Sequence, residues 1–175
     1  PNSTDAMTQA MLTTAQRAVP GLAIEAWTSH EGPPAIEGPE DGAASVPPLL
    51  DLVDKASPVG ARVIIIGCSD DTGLAEARAR ATCPVIGIGQ AAYHWAALAG
   101  ARFSVVTTLP VSVPILTQNI NAYGLSGQLA RVRAAGVPVL ALEQDAEASA
   151  LRVFAEIGAA QTEDDIQTVV LGCAG

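Results

Sequence analysis

Two rhythms of apolar positions run along the chain. Short unbroken runs of branched residues occur at 62–66 (RVIII), 103–107 (FSVVT) and 168–171 (TVVL). They lack the alternation of a half-exposed strand, which is the pattern of strands covered on both faces of a parallel sheet. Between them lie longer stretches with helical character. The first covers 5–19, after the capping candidates Asn2, Ser3 and Thr4, and Pro20-Gly21 ends it. Further helices are predicted over 43–56, 72–81, 89–98, 109–123, 126–135 and 146–159, and further strands over 22–27, 85–86 and 138–142. Pro47 and Pro48 are expected near the first turn of the second helix. Residues 28–41 (TSHEGPPAIEGPED) read as a long loop, the kind of segment that often forms a lid or a binding loop.

Strands alternating with helices predict an α/β fold with a parallel sheet and right-handed crossovers. Landmarks recur in order: 105 residues separate Asn2 from Thr107, and 105 separate Cys68 from Cys173. Such a recurrence predicts two similar α/β domains, set at 1–98 and 99–175. Both ends read as cut, since no strand precedes the first helix and no helix follows the last strand and turn.

Composition narrows the class. Of 175 residues 49% are apolar and only 3% aromatic, which suits tightly packed α/β layers. A net charge of −9 argues against nucleic acid and anionic membrane surfaces as partners. No apolar run approaches the ~20 residues that span a bilayer, and the polar start shows no signal peptide. Three cysteines without disulfide-framework spacing predict a reducing, cytoplasmic location.

Two of those cysteines share a setting. Cys68 lies in IIIGCSD and Cys173 in VVLGCAG, each after a branched run and a glycine. In an open parallel sheet, ligands bind beyond the carboxyl ends of strands, where both cysteines fall. A glycine there leaves room for close approach, and a following helix N-terminus favours thiolate. Across a cleft, one thiolate can take a proton from carbon while the other thiol returns one to the opposite face. That is a two-base racemisation needing no cofactor and no metal. Asn2, Ser69, Thr107, Thr108 and the amides after each cysteine are the available donors for a carbanion. Two plainer readings stand beside it: a buried cysteine acting as a small hydrophobe, and a Cys68–Cys173 disulfide. Cys83, before a proline at a strand start, reads as structural.

The ordered motifs resemble the aspartate/glutamate racemase superfamily in its hydantoin racemase branch. They are PNST at 1–4, SxEGPPAIEGPED at 29–41, GCSDDTGL at 67–74, PVIGIGQAA at 84–92, FSVVTTL at 103–109, YGL at 123–125, ARVRA at 130–134, PVLALE at 138–143 and VVLGCAG at 169–175. The resemblance implies two domains related by a pseudo-twofold axis, with the site between them. It implies cofactor-independent racemisation by Cys68 and Cys173. It also implies that Asn2, Thr107 and Thr108 hold the substrate, with Ser69, Ala174 and Gly175 beside the cysteines. A homo-oligomer is a further expectation. Gln90 stands where an acidic residue is expected, and Ser69 where the branch often carries Phe.

The substrate class follows in part from charge. No Lys or Arg lies beside the cysteines, whereas Asp70 and Asp71 follow Cys68. Facing inward, these would repel an anion and admit a neutral ring such as a 5-substituted hydantoin, or the ureido derivative allantoin. Alternatively, they cap the following helix. An aspartate/glutamate-type amino-acid racemase, a related decarboxylase or isomerase, and a non-catalytic small-molecule binding domain are the competing functions. GIGQAA at 87–92 fits G-x-G-x-x-A, but no acidic residue follows about twenty positions on, so it reads as a turn with a tightly packed helix. His30 and His94 have no metal-ligand spacing. Trp27 and Tyr123 read as packing residues, Tyr123 also as one that could close the pocket.

Overall fold

The computed structural model describes residues 1–56, 58–100 and 102–174. Its strands form two parallel sheets. In the first, β1 (Ile64–Ile66) pairs with β2 (Val85–Gly87). In the second, β3 (Phe103–Thr107) lies between β4 (Leu129–Ala134) and β5 (Thr168–Leu171). The helices are α1 (Asp5–Ala18), α2 (Pro39–Ala56), α3 (Leu74–Arg80), α4 (Ile88–Ala99), α5 (Ser112–Ala122), α6 (Ala141–Gln144) and α7 (Ala146–Glu163).

Each sheet builds its own core. Ile66 and Val85 pack with Leu49, Leu50 and Val53 of α2 and with Leu74 and Ala77 of α3. All five residues of β3 are buried, and Phe103 and Val105 pack with Leu116 and Ile120 of α5 and with Tyr93 and Ala96 of α4. The rings of Tyr93 and Phe103 stack at 6.3 Å. Thus α4 leaves the first sheet and enters the core of the second. A smaller cluster of Met7, Ala35 and Val139 bridges α1, the 28–38 loop and the segment after β4, and Cys173 packs against it.

Several expectations from the sequence are corrected here. Residues 22–27 form no strand among the described residues; a strand needs a partner to satisfy its backbone. α2 begins at Pro39, so Pro47 and Pro48 lie inside it. Burial of Leu49, Leu50, Val53 and Ala56 on its far side holds that helix despite the lost amide donors. β1 is covered on one face only: Ile66 is buried, while Ile65 is 59% and Ile86 of β2 41% exposed. The helix expected at 126–135 is instead the strand β4, and the strand expected at 138–142 is a turn leading into α6.

The reason for β4 is non-local. Arg133 is buried and donates to four carboxylate oxygens: Asp164 Oδ1 (2.6 Å) and Oδ2 (2.6 Å), Glu156 Oε1 (2.9 Å) and Glu163 Oε2 (2.7 Å). Asp164 also accepts from Ser104 Oγ of β3 at 2.7 Å. The end of α7 is therefore clamped to β3 and β4. The hydrogen bonds from Arg133 hold the Asp164 carboxyl down at about 2 and push the guanidinium further up. No helix among the described residues is long and apolar enough to cross a membrane.

Candidate active site

Two β-strands in different sheets end in the same way. β1 runs into Gly67-Cys68 and β5 into Gly172-Cys173, and both cysteines line one small cleft of about 40 Å³ between the sheets. Both glycines have ordinary backbone angles, so space is what requires them. A Cβ on Gly67 would lie 2.5 Å from Met11 Sδ, and one on Gly172 would lie 2.9 Å from Val105 Cγ1. A side chain at either position would have to displace these neighbours, the flexible Met11 end more readily than β3. No disulfide joins the two.

Asn2, Ser69, Thr108 and Ala174 join them on the cleft wall. Thr107 does not. Thr107, the last residue of β3, is buried and donates its hydroxyl to Gly172 O at 3.0 Å. It thereby ties the Cys173 turn to β3, helped by Gly172 N donating to Val106 O at 2.8 Å. Gly175 lies outside the described residues. Asn2 is itself held, its amide against Met7 Sδ and its Oδ1 accepting from Thr4 N at 3.3 Å.

The sequence reading missed Ser112, Ile36 and Val139, which also line the cleft. Ser112 opens α5 just beyond β3, at a strand's carboxyl end, which is a signal that could have found it. Ile36 and Val139 arrive from remote loops and carry no such signal. The 28–38 loop is pinned to the body of the protein. Ser3 N donates to Pro33 O (2.9 Å), Thr4 Oγ1 to Pro34 O (2.7 Å) and Val139 N to Glu37 Oε1 (2.6 Å). It forms part of the cleft wall through Ile36.

The two acids after Cys68 separate in role. Asp70 lines the cleft, and it is the only charged side chain among the lining residues. Burial, then the neighbouring Asp71 charge, pushes its carboxyl up to about 6. Asp71 turns away. Its carboxylate accepts from Gly89 N (3.1 Å) and Gln90 N (2.7 Å) at the start of α4 and from Tyr123 Oη (2.8 Å). It therefore caps α4 and leaves the following helix α3 uncapped by a side chain. It also occupies the amides where a dinucleotide phosphate would sit in a true G-x-G-x-x-A turn. Gln90 accepts from Arg78 Nη2 at 2.6 Å on the surface, away from the cleft.

Burial, then the Asp70 charge, pushes the Cys68 thiol up to about 11, and a 3.6 Å contact with Thr72 Oγ1 opposes the shift. Cys68 thus rests as a thiol and is a proton donor at neutral pH. A larger open hollow of about 700 Å³ lies between α1 and residues 26–30. It holds Trp27 and an exposed His30–Asp5 pair at 3.9 Å but neither cysteine, so size alone does not mark the chemistry. His94 contacts Gln90 O at 2.8 Å and is likewise remote from the cleft lining.

Comparison with known proteins shows the family. A family model described as Asp/Glu/Hydantoin racemase matches residues 1–175. A hydantoin racemase of Rhizobium meliloti is 42% identical over 176 residues, covering all of this chain and 73% of that protein. The structure of an allantoin racemase from Klebsiella pneumoniae superposes with a TM-score of 0.95 at 36% identity, covering 99% of this chain and 71% of its own. That of an allantoin racemase from Pseudomonas fluorescens gives a TM-score of 0.90 at 27% identity, covering 99% and 74%.

Proposed function

The chain belongs to the Asp/Glu/hydantoin racemase family, and we propose that it is a cofactor-independent racemase of 5-substituted hydantoins or allantoin working through Cys68 and Cys173. The observation that carries this reading is the pair of Gly-Cys strand ends on one cleft, with no basic side chain among its lining residues. Racemisation at C5 needs a base on one face of the carbon and an acid on the other. The C5 hydrogen is already acidified by the adjacent carbonyl, so a thiolate suffices to remove it.

The resting protonation of Cys68 supports an order of events. Cys173, as thiolate, takes the C5 proton of one enantiomer, and the electron pair delocalises onto the neighbouring carbonyl oxygen. The hydroxyls of Thr108 and Ser112 and the amide of Asn2 are the cleft's donors for that charge. Cys68 then delivers its proton to the opposite face of C5. The cleft is left with a thiol at Cys173 and a thiolate at Cys68, ready for the other enantiomer. Reduced cysteines suit a cytoplasmic enzyme. Asp70 favours a neutral ring, since an amino-acid carboxylate would meet its charge with no basic side chain in the lining to offset it.

The test uses the full-length protein in deuterated water with an enantiopure 5-alkyl hydantoin, allantoin and L-aspartate in turn. Loss of optical rotation together with C5 deuterium uptake on a ring or ureido substrate is the expected result. Activity on aspartate alone would reassign the chain to the amino-acid branch, and tight binding without exchange would make it a binding protein.

A further inference from the structure

The two cysteine turns are alike in sequence but are braced differently. The Cys173 turn is tied to its own sheet by the bonds of Gly172 to Val106 and Thr107 of β3, with Cys173 packed against the Met7, Ala35 and Val139 cluster. The Cys68 turn is held from the other half of the molecule. Ser69 O accepts from Tyr93 Oη (3.2 Å) and Asp70 O from Asn119 Nδ2 (2.7 Å), while Cys68 O accepts from Asp71 N (3.0 Å). Tyr93 belongs to the core of the second sheet and Asn119 to α5. Asp71, the last residue of the turn, sits at φ +50°, a left-handed angle that a non-glycine residue adopts only when its surroundings enforce it. The enforcing contacts are the amides of Gly89 and Gln90 and the hydroxyl of Tyr123, the residue that ends α5. The turn packs directly on the start of α4: a Cβ on Gly89 would collide with Ser69 O and one on Gly87 with Asp71 Oδ1.

Neither Asp71, Asn119 nor Tyr123 lines the cleft. Whatever they do for the reaction, they do through the cysteine turn. We propose that Tyr123 and Asp71 form a positioning pair for Cys68, through which the end of helix α5 sets the reactivity of the cysteine on the first sheet more than that of Cys173. The inference rests on the racemase reading for its kinetic test but not for its chemical one.

The kinetic test uses the full-length protein in two backgrounds. Cys173→Ser leaves Cys68 as the cleft's only thiol, and Cys68→Ser leaves Cys173. Solvent deuterium exchange at C5 is followed for each enantiomer of a 5-alkyl hydantoin, with and without Tyr123→Phe, which removes a single oxygen. Misplacing a reacting group by a fraction of an ångström costs about tenfold, so Tyr123→Phe should slow Cys68-driven exchange by about that factor and Cys173-driven exchange by less than about twofold. Equal slowing in both backgrounds, or none in either, overturns the proposal. The chemical test needs no substrate. Iodoacetamide labelling of Cys68 and Cys173 in the cysteine-intact protein is quantified separately by mass spectrometry across the neutral to alkaline range. Tyr123→Phe, and Asn119→Ala as a second variant, should move the profile at Cys68 and leave that at Cys173 in place. If both profiles move together, or neither does, the pair does not position Cys68. Asymmetric labelling without C5 exchange in any enzyme form would sink the racemase reading and leave the positioning pair standing.

Discussion

The turn after β1 and the end of α7 both bury aspartates, with different partners. Asp164 meets Arg133 head-on, with Ser104 and the more exposed Arg131 beside it, and its carboxyl is held at about 2. Asp70 has no such cation; burial and the adjacent Asp71 push it to about 6. A buried carboxylate paired with a guanidinium is a clamp. A half-buried carboxylate facing a cleft beside a thiol is desolvated with no guanidinium to offset it. One region carries the fold of the second sheet, and the other carries the chemistry under the proposed function, so their failures should be separable.

The widest separation is expected from Cys68→Ser against Arg133→Met. Loss of a general acid should lower racemisation by about 10²–10⁴-fold with the unfolding midpoint in urea almost unchanged. Arg133→Met strands the buried Asp164 charge and should destabilise by about 3–5 kcal/mol, while kcat of the enzyme that remains folded stays near wild type. Denaturant unfolding and steady-state rates on both variants check this, and matched losses in the two assays would erase the distinction. Gly89→Ala tests the site turn from below. Its Cβ would meet Ser69 O and lie 2.8 Å from Asp71 Oδ2, so a stability loss of about 1–3 kcal/mol should come with reduced activity.

Acid titration sharpens the contrast by sign. The folded value for Asp164 lies below the ~3.9 of an unfolded aspartate, so its contribution is present above that pH and is lost as pH falls toward 2. The folded value for Asp70 lies above it, so burial favours the protonated form, and stability is gained as pH falls through about 6 toward the unfolded value. Asp70→Asn should flatten that gain and also bring Cys68 labelling to lower pH, because the Asp70 charge is one cause of the raised thiol. The smallest effect belongs to the exposed Arg80–Asp54 pair at 3.1 Å, where Arg80→Ala should cost no more than about 0.5 kcal/mol in the same unfolding assay.

Much of this was readable in the chain. The branched runs at 64–66, 103–107 and 168–171 became β1, β3 and β5, and the two Gly-Cys turns met in one cleft. What misled were segments whose state depends on distant partners. LARVRA is built largely of good helix formers, and it is a strand because β3 pairs with it and α7 supplies acids for Arg133. Residues 22–27 have strand composition and pair with no strand among the described residues. Thr107 and Thr108 could not be told apart, because the unbroken burial of β3 gives no sign that the strand ends at Thr107. Asp71 looked like a cap for the next helix, and its actual partners lie 18, 19 and 52 residues away.

The pinned 28–38 wall bears on how such a pocket can diversify. Ile36 reaches the cleft from a loop whose path is fixed by Ser3, Thr4 and Val139. Exchanging that one side chain for a smaller or larger one changes the room available to the ring's substituent without re-routing the backbone or disturbing either thiol. A lineage could thus wander among substituents by single substitutions at this position, keeping its reaction while changing its diet.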